Sequence, residues 1–142
     1  ARDRRPGVLD SLGLMSALQS EARLFAERTG ISCKVVEAAN TEGLPEEVST
    51  NMFRIFQEIL TNVARHASAS EVRISMESEN GNLRMVVEDD GRGIDPEALK
   101  SNDSMGLLGM SERAELIGAH IEFAPLAEGG TRVSLTVPLK MH

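Results

Sequence analysis

The 142-residue chain contains no tryptophan, no tyrosine, four phenylalanines and a single cysteine. With aromatics at 3% and hydrophobic residues at 41%, its interior has to be built from Leu, Ile, Val, Met and Ala. Cys33 alone excludes an intramolecular disulfide and leaves no cysteine cluster for a metal, which fits a reducing compartment. A formal net charge of -7 and no apparent basic patch argue against a nucleic-acid surface, because phosphate backbones require clustered Lys and Arg. An anionic ligand must therefore be held by local donors. There is no apolar run of transmembrane length and no secretory signal pattern, so the chain reads as soluble, without membrane contact of its own.

What is present suits one domain with a substantial core. The opening, Ala1-Arg2-Asp3-Arg4-Arg5-Pro6-Gly7, is basic and has no initiator Met, as a piece of a larger protein would begin. Leu12, Met15, Leu18, Ala22 and Phe25 recur at helical spacing, which predicts a helix over residues 9 to about 28, stopped by Gly30. A short strand is expected over residues 32–37. Pro45, Glu46 and Glu47 then start a helix running to about residue 67, with Met52, Ile55, Phe56, Ile59 and Val63 as its apolar stripe. Val72, Ile74 and Met76 alternate with Arg73, Ser75 and Glu77 as in a strand with one wet face. Asn80-Gly81 marks a hairpin into a partner strand over residues 83–88. Residues 91–108 read as loop with one turn of helix after Pro96, followed by a helix over residues 110–117 and strands at 121–123 and 131–137, joined through Gly129-Gly130. Helices and hairpins in this order predict an α+β, two-layer sandwich: one mixed sheet and one helical layer.

Two places carry chemistry. Asp89-Asp90-Gly91-Arg92-Gly93 follows an apolar strand, and a second glycine cluster, Gly106-Leu107-Leu108-Gly109-Met110, closes the loop after it. A carboxylate at a strand end, followed by glycines that let backbone approach a flat ligand, suits nucleotide recognition. On the polar face of the long helix, Glu58 and Asn62 stand one turn apart, with Arg65 beyond. An Asn oxygen is a hard, neutral ligand for magnesium that already carries phosphate charge, and a nearby Glu can orient a metal-bound water. The plain alternatives are a turn at Asp89-Asp90, a solvated helix face with an Arg54 to Glu58 pair, and core filling by Met105 and Met110. There is no Gly-x-x-x-x-Gly-Lys-Ser/Thr loop, no protein-kinase Asp-Phe-Gly or His-Arg-Asp set, no third glycine of a dinucleotide fingerprint and no calcium-loop ligand spacing.

Phe56-Gln57-Glu58-Ile59-Leu60-Thr61-Asn62-Val63-Ala64-Arg65-His66-Ala67 resembles the asparagine box of bacterial sensor histidine kinases, in the branch that pairs with NarL/LuxR-type response regulators. Asp89-Asp90-Gly91-Arg92-Gly93 is similar to that family's first glycine box. Gly106-Leu107-Leu108-Gly109-Met110 with Glu112-Arg113-Ala114 is similar to its second, and Gly129-Gly130-Thr131 to its terminal Gly-Thr element. Leu9-Asp10-Ser11-Leu12-Gly13-Leu14 resembles the link between its dimerisation helices and its ATP-binding domain. Four motifs in order along nearly the whole chain are far more specific than any one of them.

The resemblance implies the Bergerat ATP-binding fold shared with gyrase-like ATPases, with residues 1–20 as linker and first helix and 21–142 as the catalytic ATP-binding domain. It implies that Asp89 accepts a hydrogen bond from the adenine amino group with Thr131 supporting the same edge, and that Asn62 ligates magnesium. Glu58 would be the catalytic box acid, and Arg65 and His66 would lie near the phosphates. Gly91, Gly93, Gly106, Leu107, Gly109 and Met110 would shape the pocket and a lid that includes residues 101–105. ATP and magnesium are thus the implied cofactors. The implied partners are the dimerisation and phosphoacceptor domain of the same protein, a second copy in a homodimer, and a NarL/LuxR-type regulator, in a bacterial cytoplasm with a parent protein that is free or membrane-anchored. His66, His120 and His142 lack the context of the phosphoacceptor, which lies in an earlier helix in this family, so binding without productive turnover is expected of the chain alone. Ser111 stands where arginine is usual, which leaves Arg113 as the better basic candidate, and Gly118-Ala119 replaces the usual glycine pair. Two alternatives stay open: a serine kinase of the anti-sigma-factor type with the same fold, and a non-enzymatic interaction module with a degenerate pocket.

Overall fold

The computed structural model describes residues 7–91 and 107–139, and for residues 7–12, 66 and 67 the backbone alone. The first helix, α1 (Gly7–Thr29), is broken at Gly13, whose φ of 86° and ψ of 177° lie far from helical values. Leu18, Ala22 and Phe25 of the expected stripe are buried, Leu14 and Ala17 join them, and Met15 packs partly buried against the same core. The Thr29 hydroxyl donates to the Phe25 carbonyl at 2.7 Å, and Gly30, at φ 79°, closes the end with an N–H to Ala26 O of 2.9 Å.

After β1 (Ser32–Glu37), helix α2 (Glu46–Asn62) starts behind Pro45, which occupies the N-cap with Glu46 and Glu47 in the first turn. Phe53 and Leu60 are buried beside the expected Met52, Ile55, Phe56, Ile59 and Val63. The stripe is wide because α2 packs against two other described helices, α1 and the helix introduced below as α3. The anticipated continuation to residue 67 exists, but as a π-helical turn, Val63–Ala67, ended by Ser68 in the left-handed region at φ 53°. Its bonding skips one residue further along the chain, so Arg65 leaves the position that a continuous α-helix would give it.

Strands β2 (Glu71–Glu79) and β3 (Asn82–Asp89) form the hairpin across Asn80 and Gly81, both at positive φ (54° and 79°), as a tight two-residue turn requires. Helix α3 (Leu107–Leu116) and strands β4 (His120–Pro125) and β5 (Thr131–Pro138) complete the described elements. The sheet runs β1-β2-β3-β5-β4, with β1 parallel to β2 and every other pair antiparallel. It is the mixed sheet of an α+β sandwich. Val72, Ile74 and Met76 of β2, Leu83, Met85 and Val87 of β3, and Val133, Leu135 and Val137 of β5 are buried under the helices. The other face carries Arg73, Glu77, Arg84, Glu88 and Arg132 in water-exposed ion pairs.

Candidate functional site

The two-residue period of β3 places Asp89 in the same inward row as Leu83, Met85 and Val87. Its neighbours across the ladder are Val72 on one side and Thr131 on the other. Thr131 begins the inward row of β5. Asp89 is 8% exposed and Thr131 4% exposed, so a carboxylate and a hydroxyl end the apolar rows on the helix-covered face. Burial pushes the Asp89 carboxyl above its ordinary value; the Gly91 amide opposes this, the charge of Asp90 adds to it, and the Thr131 amide opposes it again. Asp89 Oδ1 accepts the Gly91 N–H at 2.9 Å. Among the described residues no cation pairs with it.

The wall beside this carboxylate needs glycine. Gly130 has φ 105°, and a Cβ there would stand 1.9 Å from the Asp89 carbonyl oxygen, an impossible contact. Gly129 lies against the same segment, where a Cβ would sit 3.5 Å from the Gly91 carbonyl oxygen. Gly130 was visible in sequence as part of the Gly129-Gly130-Thr131 element; its close approach to Asp89 depends on the β3–β5 pairing.

Asp90 behaves differently from its neighbour. It is exposed, and its carboxylate accepts from the Ser70 N–H (2.8 Å), the Glu71 N–H (3.0 Å) and the Ser70 hydroxyl (2.6 Å). The Ser70 hydroxyl, followed by these amides, holds its carboxyl below the usual value. Sequence reasoning did not single out Asp90 and Ser70. The acidic doublet was the available signal, but nothing local shows that Ser70, 20 residues earlier, meets it.

Glu58 and Asn62 are half-buried on α2, near its C-terminal end. The Thr61 hydroxyl is turned back to the Gln57 carbonyl at 3.0 Å, and Arg54 reaches Gln57 Oε1 at 3.4 Å. The π turn after Asn62 carries exposed Arg65 and leads through Ser68 to Ser70, at the start of β2. Because Val72 lies opposite Asp89, this end of α2 feeds the same end of the sheet that carries Asp89. Leu107 and Met110 are both 1% exposed and seat α3 in the core beside Ala114, while an added Cβ at Gly109 would meet open space. The remaining expected positions, Arg92, Gly93, residues 95–97, 101–105 and Gly106, lie outside the described residues, as does the His66 side chain.

Among the described residues no three His, Cys, Asp or Glu side chains converge on a cation position. Open grooves among the described residues lie elsewhere. One, about 430 Å³, is lined by α1 and β1, including Cys33, whose thiol is pushed to about 11 by burial and the charge of Glu21. Another, about 490 Å³, lies between Ala38, Ala39 and the end of β2. Neither includes a residue of the Asp89 site. Among the described residues no helix is long and apolar enough to cross a membrane.

Residues 47–141 match the family described as histidine kinase-, DNA gyrase B- and HSP90-like ATPase. This chain belongs to that family. The sensor histidine kinase MctS of Rhizobium johnstonii is 38% identical over 143 residues, covering 97% of this chain and 30% of MctS. The histidine-protein kinase/phosphatase DegS of Brevibacillus brevis is 33% identical, covering 96% of this chain and 35% of DegS. The chain thus spans about a third of the length of these curated relatives. Among solved structures, the histidine kinase domain of the blue-light-activated kinase EL346 of Erythrobacter litoralis superposes with a TM-score of 0.72 at 27% identity, over 86% of this chain and 59% of that one. The ATP-binding domain of PrrB from Mycobacterium tuberculosis shares the fold, with a TM-score of 0.74 at 20% identity over 88% of this chain and 93% of that one. The chain is an ATP-binding catalytic domain of the sensor-histidine-kinase type, in the Bergerat fold.

Proposed function

We propose that this domain reads adenine through Asp89, holds magnesium-bound phosphates at the C-terminal end of α2, and in its parent protein serves transfer of the ATP γ-phosphate to a histidine. The observation that carries the reading is Asp89 itself: a buried carboxylate with no cation among the described residues, at the end of β3 and backed by Gly91 and Gly130. An ionised carboxylate only accepts hydrogen bonds, so it favours the amino group of adenine over the carbonyl that guanine presents at the same place. Thr131, its partner across the ladder, supplies a hydroxyl to the same edge.

Bound magnesium supplies charge neutralisation at the phosphates, and the Asn62 oxygen is the group suited to hold it. Glu58, one turn earlier, would orient a metal-bound water or the acceptor. Arg65 and His66 would face the phosphates, and Gly91, Gly93, Gly106, Leu107, Gly109 and Met110 would shape the pocket and lid. His120 is paired with Glu122 at 3.2 Å, opposite Thr136 on the wet face of the sheet, which favours an acceptor histidine supplied by a dimerisation domain. The names of both curated relatives support a histidine kinase over an anti-sigma-type serine kinase. A homodimeric parent, a NarL/LuxR-type regulator as receiver and a cytoplasmic setting follow from the same reading.

Calorimetric titration of the chain with ATP and GTP, with and without magnesium, tests it. ATP is expected to bind and GTP not. Asp89→Asn should erase that preference, and Asn62→Ala should remove the magnesium dependence. A folded chain that binds GTP as well as ATP would overturn the role given to Asp89.

A further inference from the structure

Asp90 sits at a strand end, exposed to water, yet its described hydrogen bonds all run to the start of β2. Oδ1 accepts the backbone N–H groups of Ser70 and Glu71 at 2.8 and 3.0 Å. Oδ2 accepts the Ser70 hydroxyl at 2.6 Å, and the Asp90 N–H donates to the Glu71 carbonyl at 3.3 Å. The Ser70 carbonyl in turn accepts the Ser32 N–H at 3.0 Å, so the beginnings of β1 and β2 and the end of β3 meet at one residue. Ser70 also closes the short link, through Ser68 at φ 53°, from the π turn that follows Asn62 and carries Arg65.

We propose that Asp90 is a positioning residue of the nucleotide site, clamping Ser70 and Glu71 so that the base-reading end of β3 and the phosphate-facing end of α2 keep a fixed relation. The inference rests on the nucleotide reading above. One ligand that spans two elements binds well only if both are held to a fraction of an ångström, and the link between them has no regular ladder to hold it. Bonds from two successive amides and a hydroxyl, at 2.6–3.0 Å, are short and directional enough to do so. Both Asp90 oxygens are committed to this clamp, whereas Asp89, one residue earlier, is buried on the helix-covered face. The downward displacement of the Asp90 carboxyl agrees with bonding to the ionised form.

The test compares Mg-ATP with adenosine, by calorimetry well below each variant's melting temperature. Adenosine engages the base-reading end alone. Asp90→Ala is expected to weaken Mg-ATP about tenfold and adenosine less than about twofold, with Ser70→Ala between wild type and Asp90→Ala. Asp90→Asn should bind nearly as wild type, since its oxygen still accepts both amides and the Ser70 hydroxyl can turn to accept its amide hydrogen. Equal losses for both ligands would reveal a general loosening and overturn the inference, as would unchanged Mg-ATP binding. So would an Asp90→Asn as weak as Asp90→Ala, which would make charge rather than the clamp responsible. If Asp90→Ala does not fold, an ATP-selective loss in Ser70→Ala supports the clamp and its absence overturns it. Wild-type chain that binds neither ligand removes the nucleotide reading itself; wild-type binding with an indifferent Asp90→Ala removes only the clamp.

Discussion

Glu88 and Asp89 are adjacent acids on β3, and the pleat sends them to opposite faces of the sheet with opposite consequences. Glu88 lies on the wet face between Arg132 at 2.7 Å and Arg73 at 3.3 Å, on the same face as Arg84, which reaches Glu77 at 3.7 Å and Ser134 at 3.4 Å. Exposed pairs of this kind contribute about 0–1 kcal/mol each, because water already solvates both partners. Asp89, on the dry face, has amides but no cation among the described residues, and burial holds its carboxyl above the ordinary value. The wet face satisfies its charges within the chain. The dry face leaves one desolvated acceptor whose remaining hydrogen-bonding capacity suits a ligand.

Substitutions on the two faces should separate them sharply. Gly130→Ala at the dry end is expected to have the largest effect, about 4 kcal/mol or more of lost stability with loss of ATP binding, because its Cβ would overlap the Asp89 carbonyl and its φ is forbidden to L-residues. Chemical denaturation and calorimetry check it; a stable, ATP-binding Gly130→Ala would contradict the close approach. Ile74→Ala, in the middle of the dry face and fully buried, should lose about 3 kcal/mol while the folded fraction still binds ATP.

Asp89→Asn should divide stability from function. An acid whose folded value is raised lends stability that is complete below its ordinary value, 3.8, and is lost as pH rises through the raised value. Above that window the wild type carries a buried charge that the variant lacks. The variant should therefore melt no lower than wild type at neutral pH, and relatively higher than it does under acid, while failing to select ATP. Melting curves across pH decide this, and a variant much less stable at neutral pH would mean that the charge is satisfied within the chain. The smallest effect belongs to Glu88→Gln, about 1 kcal/mol or less, with ATP affinity unchanged and with its stability difference shrinking at high salt. A fall in ATP affinity there would show that the two faces are coupled.

Much of the frame was legible because it is local. The stripe Met52, Ile55, Phe56, Ile59 and Val63 and the alternation through Val72, Ile74 and Met76 are periodic patterns, and Asn80-Gly81 carries its own turn geometry. The break at Gly13 was not anticipated, because a single glycine within a helical apolar pattern leaves that pattern intact: Leu18, Ala22 and Phe25 are buried on either reading. The π turn after Asn62 also escaped, since α- and π-helical bonding differ by one residue in partner choice and leave similar apolar patterns. Asp89, Asn62, Gly130 and Thr131 stood out by motif, whereas the contacts of Asp90 with Ser70 and of Gly130 with Asp89 join segments distant in the chain.

Local chemistry settles that Leu83, Met85, Val87 and Asp89 share a face, that glycines stand beside the acid, and that Glu58 and Asn62 sit a turn apart, since the periods of strand and helix follow from backbone geometry alone. Strand order and register settle the rest. They bring Thr131 and Gly130 against Asp89, and they give Asp90 its amides at Ser70 and Glu71. Those contacts form between segments far apart in the chain, and they exist because packing the apolar rows under the helices selects one pairing among many.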